Sequence, residues 1–271
     1  MTDVLTQILA DKHREVEAAA AARPVTDLRS APGYHEPRRN FFGAVAAPRR
    51  DRANLIAEVK QRSPSAGLIR PDFDVALLAS AYERGGASAL SVLTDAKWFG
   101  GDGSHIAIAK HACGLPVLRK DFVIDEYQLH EARMLGADAV LLIAEALEPR
   151  HLAGLCESAV ALGLCVLVEV HSREALHGVL GAISLEKCRG SLLLGVNNRD
   201  LRRQVTDIGI TERLAPEVPP TAPLVAESGI RSHSDAQRMF LAGARALLVG
   251  EALLKEPDVT AAARRMMEGG S

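Results

Sequence analysis

Side chains that can exchange protons recur along the chain, each at or just after the end of a short apolar run. The acids and bases in these positions are Glu58, Lys60, Lys120, Glu169, Arg199 and Glu227. If a fold brings carboxylates and cationic groups together away from water, their pKa values shift toward general acid and base catalysis. Each residue alone is also typical of a solvated loop, and the whole set is compatible with an ion-pair network that only stabilises the fold. The set therefore predicts a proton-transfer site if the apolar runs are neighbouring elements.

Eight apolar runs rich in Val, Ile and Leu predict eight β-strands. They cover residues 55–60, 89–94, 116–120, 139–143, 165–170, 192–197, 224–227 and 246–249. The segments between them have helical character, as in residues 125–135. Glycines stand where such helices should end in a left-handed residue, namely Gly86, Gly136, Gly163 and Gly243. Strands that are apolar on both faces and alternate with helices require a parallel sheet covered by helices.

Eight such units predict an α/β fold, a single (β/α)8 TIM barrel with an N-terminal helical extension. A doubly wound open sheet is the alternative, but it usually has a Gly-rich phosphate turn after its first strand, and residues 58–64 contain no such turn. For 271 residues we predict one domain, with the extension at 1–53 and the barrel at 54–271. The extension begins with an amphipathic helix whose apolar stripe is Val4, Leu5, Ile8, Leu9 and Val16.

Catalytic groups in such a barrel project from the C-terminal ends of the strands, which is where the acids and bases lie. Because side chains alternate along a strand, Glu58 and Lys60 share a face with Ile56 inside the barrel. Asn197 and Arg199 share a face in the same way. We therefore expect these side chains to meet at one rim.

Glycines at the seventh and eighth strand ends indicate a phosphate site. Ser228-Gly229 follows one strand and Gly250-Glu251 follows the next. In barrels of this kind, the amides of the last two loops and of a short helix bind a phosphate group, although two ordinary glycine turns would look the same. We expect a phosphorylated small-molecule substrate.

Aromatic and histidine residues give weaker evidence about the functional site. Phe99 and Phe122 fall just past strand ends, where they either form the wall of a pocket for an apolar group or are buried under the N-terminal extension. The nine histidines are scattered, and His171 is the one at a strand end. We interpret the histidines as surface or structural residues.

Composition excludes several classes of protein. A formal charge of -2, from 32 basic and 34 acidic residues, predicts no nucleic-acid or membrane partner. No apolar run is long enough to span a membrane, and the N-terminus has no signal-peptide core. The cysteines show no metal-binding spacing and are interpreted as free buried thiols of a cytoplasmic protein; they are Cys113, Cys156, Cys165 and Cys188. No cluster of carboxylates and histidines predicts a metal site. The oligomeric state cannot be read from these features.

The strand-end motifs together resemble the indole-3-glycerol phosphate synthase family. The resemblance rests on residues 56–65, Leu93-Thr94-Asp95 with Phe99, Leu118-Arg119-Lys120-Asp121-Phe122, Val168-Glu169-Val170, Gly195-Val196-Asn197-Asn198-Arg199-Asp200-Leu201 and Ala226-Glu227-Ser228-Gly229-Ile230. It spans residues 54–256, in the order that the family has. The resemblance implies a cofactor-free carboxy-lyase of tryptophan biosynthesis. Such an enzyme converts 1-(2-carboxyphenylamino)-1-deoxyribulose 5-phosphate to indole-3-glycerol phosphate, with loss of carbon dioxide and water.

The resemblance also implies roles for individual residues. Lys120 is the general acid at the ketone oxygen, and Glu169 and Lys60 serve the later dehydration, although which lysine serves which step stays open. Glu58 and Glu227 orient the lysines and the sugar hydroxyls. The remaining implied contacts are Asn197, Arg199 and Ser63 for the anthranilate group, Phe99, Phe122 and Leu141 for its apolar side, and the amides of Ser228, Gly229, Gly250 and Glu251 for the phosphate.

Two features depart from the family pattern. Residues 180–188 look like an insertion, which in a barrel falls on the face that serves stability. Glu251 stands where many members have Ser, so any phosphate contact there should come from its backbone N–H.

Two other functions remain open. One is the isomerase that acts a step earlier, on phosphoribosyl anthranilate, which needs no second lysine at the third strand's end. The other is a barrel that binds a phosphorylated metabolite and regulates a partner without catalysis.

Overall fold

A computed structural model of the protein describes residues 4–199 and 205–269. The strands of this part of the chain are β1 (Asn54–Val59), β2 (Arg62–Ser63), β3 (Gly67–Leu68), β4 (Ala89–Leu93), β5 (Val117–Lys120), β6 (Ala139–Ile143), β7 (Cys165–Val170), β8 (Leu192–Asn197), β9 (Leu224–Glu227) and β10 (Ala246–Val249). Its α-helices are α1 (Val4–Ala22), α2 (Val25–Arg29), α3 (Phe41–Ala46), α4 (Val75–Arg84), α5 (Ala96–Phe99), α6 (Ser104–Ala112), α7 (Glu126–Leu135), α8 (Pro149–Ala161), α9 (Arg173–Ala182), α10 (Gly209–Leu214), α11 (His233–Leu241), α12 (Glu251–Leu254) and α13 (Val259–Glu268). Short 3-10 helices lie at Pro32–Tyr34, Ala144–Ala146 and Ala215–Glu217.

Eight parallel strands close into a barrel in the order β1-β4-β5-β6-β7-β8-β9-β10, and β10 pairs with β1. The predicted (β/α)8 barrel is therefore confirmed, and the doubly wound alternative is wrong. The last five predicted strands agree with the structure residue for residue. The first differs from it by one residue at both ends, and the second and third differ by one residue at one end. Strands β2 and β3 form a small antiparallel hairpin between β1 and α4, which the apolar pattern did not predict because its residues are mostly polar or exposed.

Local sequence explains where the helices begin and end. Asp125 accepts hydrogen bonds as the N-cap of α7, and Ser232 does the same for α11. Gly86, Gly136, Gly163 and Gly243 all have positive φ, as predicted for residues that end or follow a helix.

The strands bury side chains on both faces, which is why they read as continuous apolar runs. One face packs against the surrounding helices, in a large cluster that includes Leu55, Leu90 and Val166. The other face fills the barrel interior with Ile56, Leu118, Leu141, Leu167 and neighbouring residues, which confirms the inward placement of Ile56.

The N-terminal extension lies against the barrel. Phe41 and Val45 of α3 are fully buried and join the cluster inside the barrel. Helix α1 buries Ile8 of the predicted apolar stripe, whereas Val4, the first residue of the helix, is exposed. Lys12, one turn after Ile8, is the other buried residue of this helix.

All four cysteines are free and buried, as predicted, and Cys156 Sγ lies 3.5 Å from Cys188 Sγ. Cys188 belongs to the segment 180–188, which spans the end of α9 and the turns before β8, the helix-to-strand side expected for an insertion. No helix within the described residues is long and apolar enough to cross a membrane.

Candidate active site

A cavity of about 570 Å³ opens at the C-terminal end of the barrel. Each barrel strand contributes a lining residue at or next to its last position: Glu58, Leu93, Lys120, Ile143, Glu169, Asn197, Glu227 and Val249. The three acids and three bases singled out in the sequence all line this cavity. Barrel closure therefore brings together residues that are more than 160 positions apart in the chain.

Lys120 is the centre of the charged cluster. Its Nζ lies 3.3 Å from Glu169 Oε2 and 3.4 Å from Glu227 Oε2. Burial by itself would lower the pKa of Lys120, but the charges of Glu169, Glu227 and Glu58 outweigh it and raise that pKa well above its usual range. The lysine is therefore held as an ammonium group that can donate a proton.

The two glutamates that flank Lys120 differ in their protonation. Burial favours the neutral acid for both, but Lys120 and His171 reverse this for Glu169, and its pKa is lowered. The pKa of Glu227 is raised to about 8, because burial and the nearby charge of Glu169 both disfavour its carboxylate. Two carboxyl groups with opposite shifts can serve as a base and as a proton carrier at one pH.

Glu58 and Lys60 lie on one face, as strand alternation predicts, and form a short hydrogen-bonded ion pair. Lys60 itself lies one residue beyond β1, so the predicted strand was one residue too long at this end. Burial alone would raise the pKa of Glu58, but Lys60 and Lys120 lower it overall.

Glycine positions at the seventh and eighth strand ends line the cavity together with cationic residues. Ser228 and Gly229 both have left-handed backbone, with φ of 64° and 78°. A Cβ on Gly250 would clash with Glu58 Oε1. Glycine is therefore needed here to leave room for the Glu58 carboxylate, in addition to any ligand. Lys255 also lines this end of the cavity, and its Nζ lies 2.6 Å from Glu251 Oε1.

The apolar side of the cavity is formed by Phe99, Phe122 and Leu141. The two phenylalanine rings lie 6.1 Å apart and are tilted by 37°. This favours the pocket-wall interpretation over burial beneath the extension. It is Trp98, next to Phe99, that contacts α1, through a 3.2 Å hydrogen bond from its Nε1 to Asp11 Oδ2.

The structure places one of the three predicted anthranilate contacts away from the cavity. Arg199 and Asn197 line the cavity, but Ser63 is not among the described residues that do so. The Ser63 hydroxyl is buried and accepts a hydrogen bond from the backbone N–H of Ala66. Ser65, two residues on, accepts a 2.8 Å hydrogen bond from Arg199 Nη1. Of the Asn-Asn-Arg-Asp-Leu motif, Asp200 and Leu201 lie outside the described residues.

His171 is the residue at the site whose role the sequence interpretation missed. It lies directly after β7, and its Nε2 is 3.3 Å from Glu169 Oε1. The side chain is 10 % exposed, so it is not a surface residue. The signal was present, because residues 169 and 171 are two apart, like Glu58 and Lys60.

Lys12 was missed as well, and it supports the loops that carry the site. Its Nζ lies 3.0 Å from Asp95 Oδ2 and 2.9 Å from Asp121 Oδ1, just after β4 and β5. The extension is thus bound to the residue that follows Lys120. A lysine in line with Ile8 and Val16 on one helix face was the available signal.

The described residues contain no group of three or more His, Cys, Asp or Glu side chains that could hold a metal ion. A reaction without metal or cofactor stays a prediction.

Comparison with known proteins agrees with the geometry. The family model for indole-3-glycerol phosphate synthase matches residues 5–266. A protein of that name from Azospirillum brasilense is 47% identical over 98% of this chain and 100% of its own length. A protein of the same name from Geobacillus kaustophilus is 46% identical over 97% of this chain and 96% of its own length.

Solved structures with low sequence identity share the barrel fold. The 3-hexulose-6-phosphate synthase of Salmonella typhimurium has a TM-score of 0.61 at 15% identity, over 79% of this chain and 96% of that one. Orotidine 5'-phosphate decarboxylase of Pyrococcus horikoshii has a TM-score of 0.54 at 14% identity, over 78% of this chain and 96% of that one. These likenesses concern the fold alone, whereas the family match and the close relatives cover nearly the whole sequence. The chain belongs to the indole-3-glycerol phosphate synthase family.

Proposed function

We propose that this chain is a carboxy-lyase of tryptophan biosynthesis that forms indole-3-glycerol phosphate from 1-(2-carboxyphenylamino)-1-deoxyribulose 5-phosphate. The observation that carries the proposal is the cavity in which Lys120 lies between Glu169 and Glu227, in a chain of this family. Ring closure and dehydration require two acids and a base around one small substrate, and the cavity offers this set.

Ring closure is the first step to which the site contributes. The ring carbon that bears the carboxylate attacks the ketone carbon, and the ketone oxygen gains negative charge as the new bond forms. Lys120 donates a proton to that oxygen, because an alkoxide is far more basic than a ketone. Its neighbours Glu169, Glu227 and Glu58 keep Lys120 protonated before the attack. Loss of carbon dioxide then restores the aromatic ring.

Dehydration completes the indole. Glu169 removes a proton from the carbon next to the ring nitrogen, and the new hydroxyl group leaves as water after it is protonated. Lys60 supplies that proton in this assignment, and Glu58 orients its ammonium group. Glu227 binds a sugar hydroxyl, for which its Oε1 is free, since this buried atom has no hydrogen-bond partner among the described residues.

The two ends of the cavity fit the two ends of the substrate. The phosphate lies at the backbone of Ser228, Gly229, Gly250 and Glu251, with Lys60 and Lys255 close by. The benzene ring packs against Phe99, Phe122 and Leu141, and Arg199 with Asn197 binds its carboxylate. Ser63 has no part in this placement, because its hydroxyl is used within its own turn.

The proposal extends to the setting of the enzyme. We propose that it acts in the cytoplasm as one domain, with the extension 1–53 and the barrel 54–271 as a single folding unit. Its partner is a small phosphorylated molecule rather than nucleic acid or a membrane, and it uses neither metal nor cofactor.

The test is a fluorescence assay for indole-3-glycerol phosphate with purified protein in the presence of a chelator. We expect turnover by the wild type and a fall in kcat of about 10² to 10⁴-fold for Lys120→Ala. Lys97→Ala is the matched control, because Lys97 is an exposed lysine of helix α5 that pairs with Asp11. Circular dichroism checks that each variant is folded.

The same protein is also offered phosphoribosyl anthranilate. Turnover of that compound alone, or binding of the carboxyphenylamino substrate without turnover, would contradict the proposal. The first result would indicate the isomerase and the second a regulatory binding protein. Activity that disappears with the chelator and returns with one cation would contradict the metal-free reaction.

A further inference from the structure

The catalytic base Glu169 has different partners on its two oxygens. Oε2 faces Lys120 inside the cavity at 3.3 Å, and Oε1 faces His171 Nε2, also at 3.3 Å. The Glu169 side chain is only 3 % exposed. Once the substrate fills the cavity, a proton taken up by Glu169 has no direct contact with bulk water.

On the side away from the cavity, His171 contacts Glu145. Its Nδ1 lies 3.1 Å from Glu145 Oε2, and its backbone N–H donates to Glu145 Oε1 at 2.8 Å. Glu145 lies in the 3-10 helix that follows β6, and its side chain is 25 % exposed. The imidazole therefore connects a buried carboxylate with one that reaches solvent.

A second, smaller cavity lies on the outer side of His171. It has a volume of about 250 Å³, and its lining residues include His171, Arg173 and Arg213. None of the described residues that line the substrate cavity is shared with it. A bound substrate would leave this outer cavity open to water.

His171 Nε2 is the group that the structure leaves unused. It is buried and has no hydrogen-bond partner within the described part of the chain, because its alignment with Glu169 Oε1 is not that of a hydrogen bond. Such contacts in an enzyme without substrate are often long and tighten when the substrate binds. An imidazole with one nitrogen held by a carboxylate and the other facing the base has the geometry of a proton relay.

We propose that His171 and Glu145 carry the proton from Glu169 to solvent after the dehydration step; this inference rests on the proposed function. The proton that Glu169 takes from the substrate moves from Oε1 to Nε2 of His171. The imidazole releases its Nδ1 proton to Glu145 Oε2, which passes it to water. Glu169 is then a carboxylate again, and Lys120 and Lys60, which each gave a proton to the substrate, take up protons from water before the next turnover.

The charges around His171 fit this role. Burial disfavours its protonated form, but Glu145, Glu169 and Glu227 together outweigh burial and raise the pKa of His171. The cations that face the outer cavity have partners of their own: Arg173 pairs with Glu217 and Arg213 with Asp207. These charges therefore favour uptake of a proton by the imidazole.

The experiment compares kcat and KM of the wild type, His171→Gln, His171→Ala and Glu145→Gln in the indole-3-glycerol phosphate assay. We expect kcat of both His171 variants to fall at least about tenfold and KM to fall with it, so that kcat/KM changes by less than about twofold, because the relay acts after the loss of carbon dioxide. Glu145→Gln should lower kcat as well. The matched control is His177→Asn, since His177 is an exposed histidine of α9 that pairs with Glu217.

Chemical rescue separates proton transfer from packing. Added imidazole should restore kcat of His171→Ala, whereas pyrrole, which has the same ring shape but accepts no proton, should not. Thermal melting shows that the variants are folded.

Three results would overturn the relay. These are unchanged kcat in His171→Gln, equal rescue by pyrrole and imidazole, and a loss that appears in KM alone. A wild type without turnover would overturn the proposed function and the relay with it, whereas an active wild type with an unaffected His171→Gln variant would overturn the relay only.

Discussion

Replacing Lys12 with Met should destabilise the protein far more than a typical lysine substitution. The Lys12 side chain is 2% exposed, and its Nζ lies 3.0 Å from Asp95 and 2.9 Å from Asp121, both of which are also buried. Methionine keeps much of the apolar stem but removes the charge, so the two aspartates stay buried without this partner. Breaking a buried ion pair in this way costs about 3–5 kcal/mol.

The remaining contacts place the expected loss at the lower end of that range. Asp121 keeps Arg119 Nη2 at 3.1 Å and the Thr94 hydroxyl at 2.6 Å. Asp95 keeps its cap to the backbone N–H of Trp98 at 2.7 Å. We therefore expect Lys12→Met to lower the free energy of unfolding by about 3 kcal/mol.

Urea denaturation followed by circular dichroism measures this difference. Lys187→Met is the matched control, because its pair with Glu157 has the same kind of contact, at 2.9 Å, but the two side chains are 65% and 47% exposed. The control should lose at most about 1 kcal/mol. If the two variants lose the same stability, the buried pairs of Lys12 do not hold the extension on the barrel.

Three further predictions concern the site and its support. Gly195→Ala should lower kcat by about 10²-fold, because a Cβ there would stand 2.2 Å from Glu227 Oε1 and displace that carboxyl; unchanged kcat would contradict the packing. The pKa of Asp121 is lowered from 3.8 to about 2, so its carboxylate contributes about 2 kcal/mol to the free energy of unfolding. This contribution is complete above pH 4 and is lost as the pH falls toward 2. Urea titrations at pH 5 and pH 3 should show a smaller pH effect in Asp121→Asn than in the wild type. Glu251→Ser should lower KM about fivefold, equivalent to about 1 kcal/mol, because it removes a negative charge beside the phosphate and frees Lys255, whose Nζ is 2.6 Å away; an equal or higher KM would contradict this placement of the phosphate.

Strand positions and the residues at their ends were predictable because they depend on local pattern. The barrel strands are buried on both faces, so each is a run of apolar residues that ends where polar side chains enter the cavity. Alternation along a strand then placed Ile56 inside the barrel below Glu58. The left-handed glycines that end helices depend on backbone sterics within one turn and were predicted for the same reason.

Pairings between distant segments depended on the tertiary structure. That Lys120 lies between Glu169 and Glu227, and that Ser65 rather than Ser63 meets Arg199, follows from the stagger of strands and loops around the closed barrel. Lys12 looks like an interruption of an apolar helix face until the fold brings Asp95 and Asp121 to it. The sequence by itself determined the elements and the side chains that they present, because periodicity and sterics act over a few residues. Only the tertiary structure decided which charges share a buried space and which pKa values shift, because these depend on distances between side chains far apart in the chain.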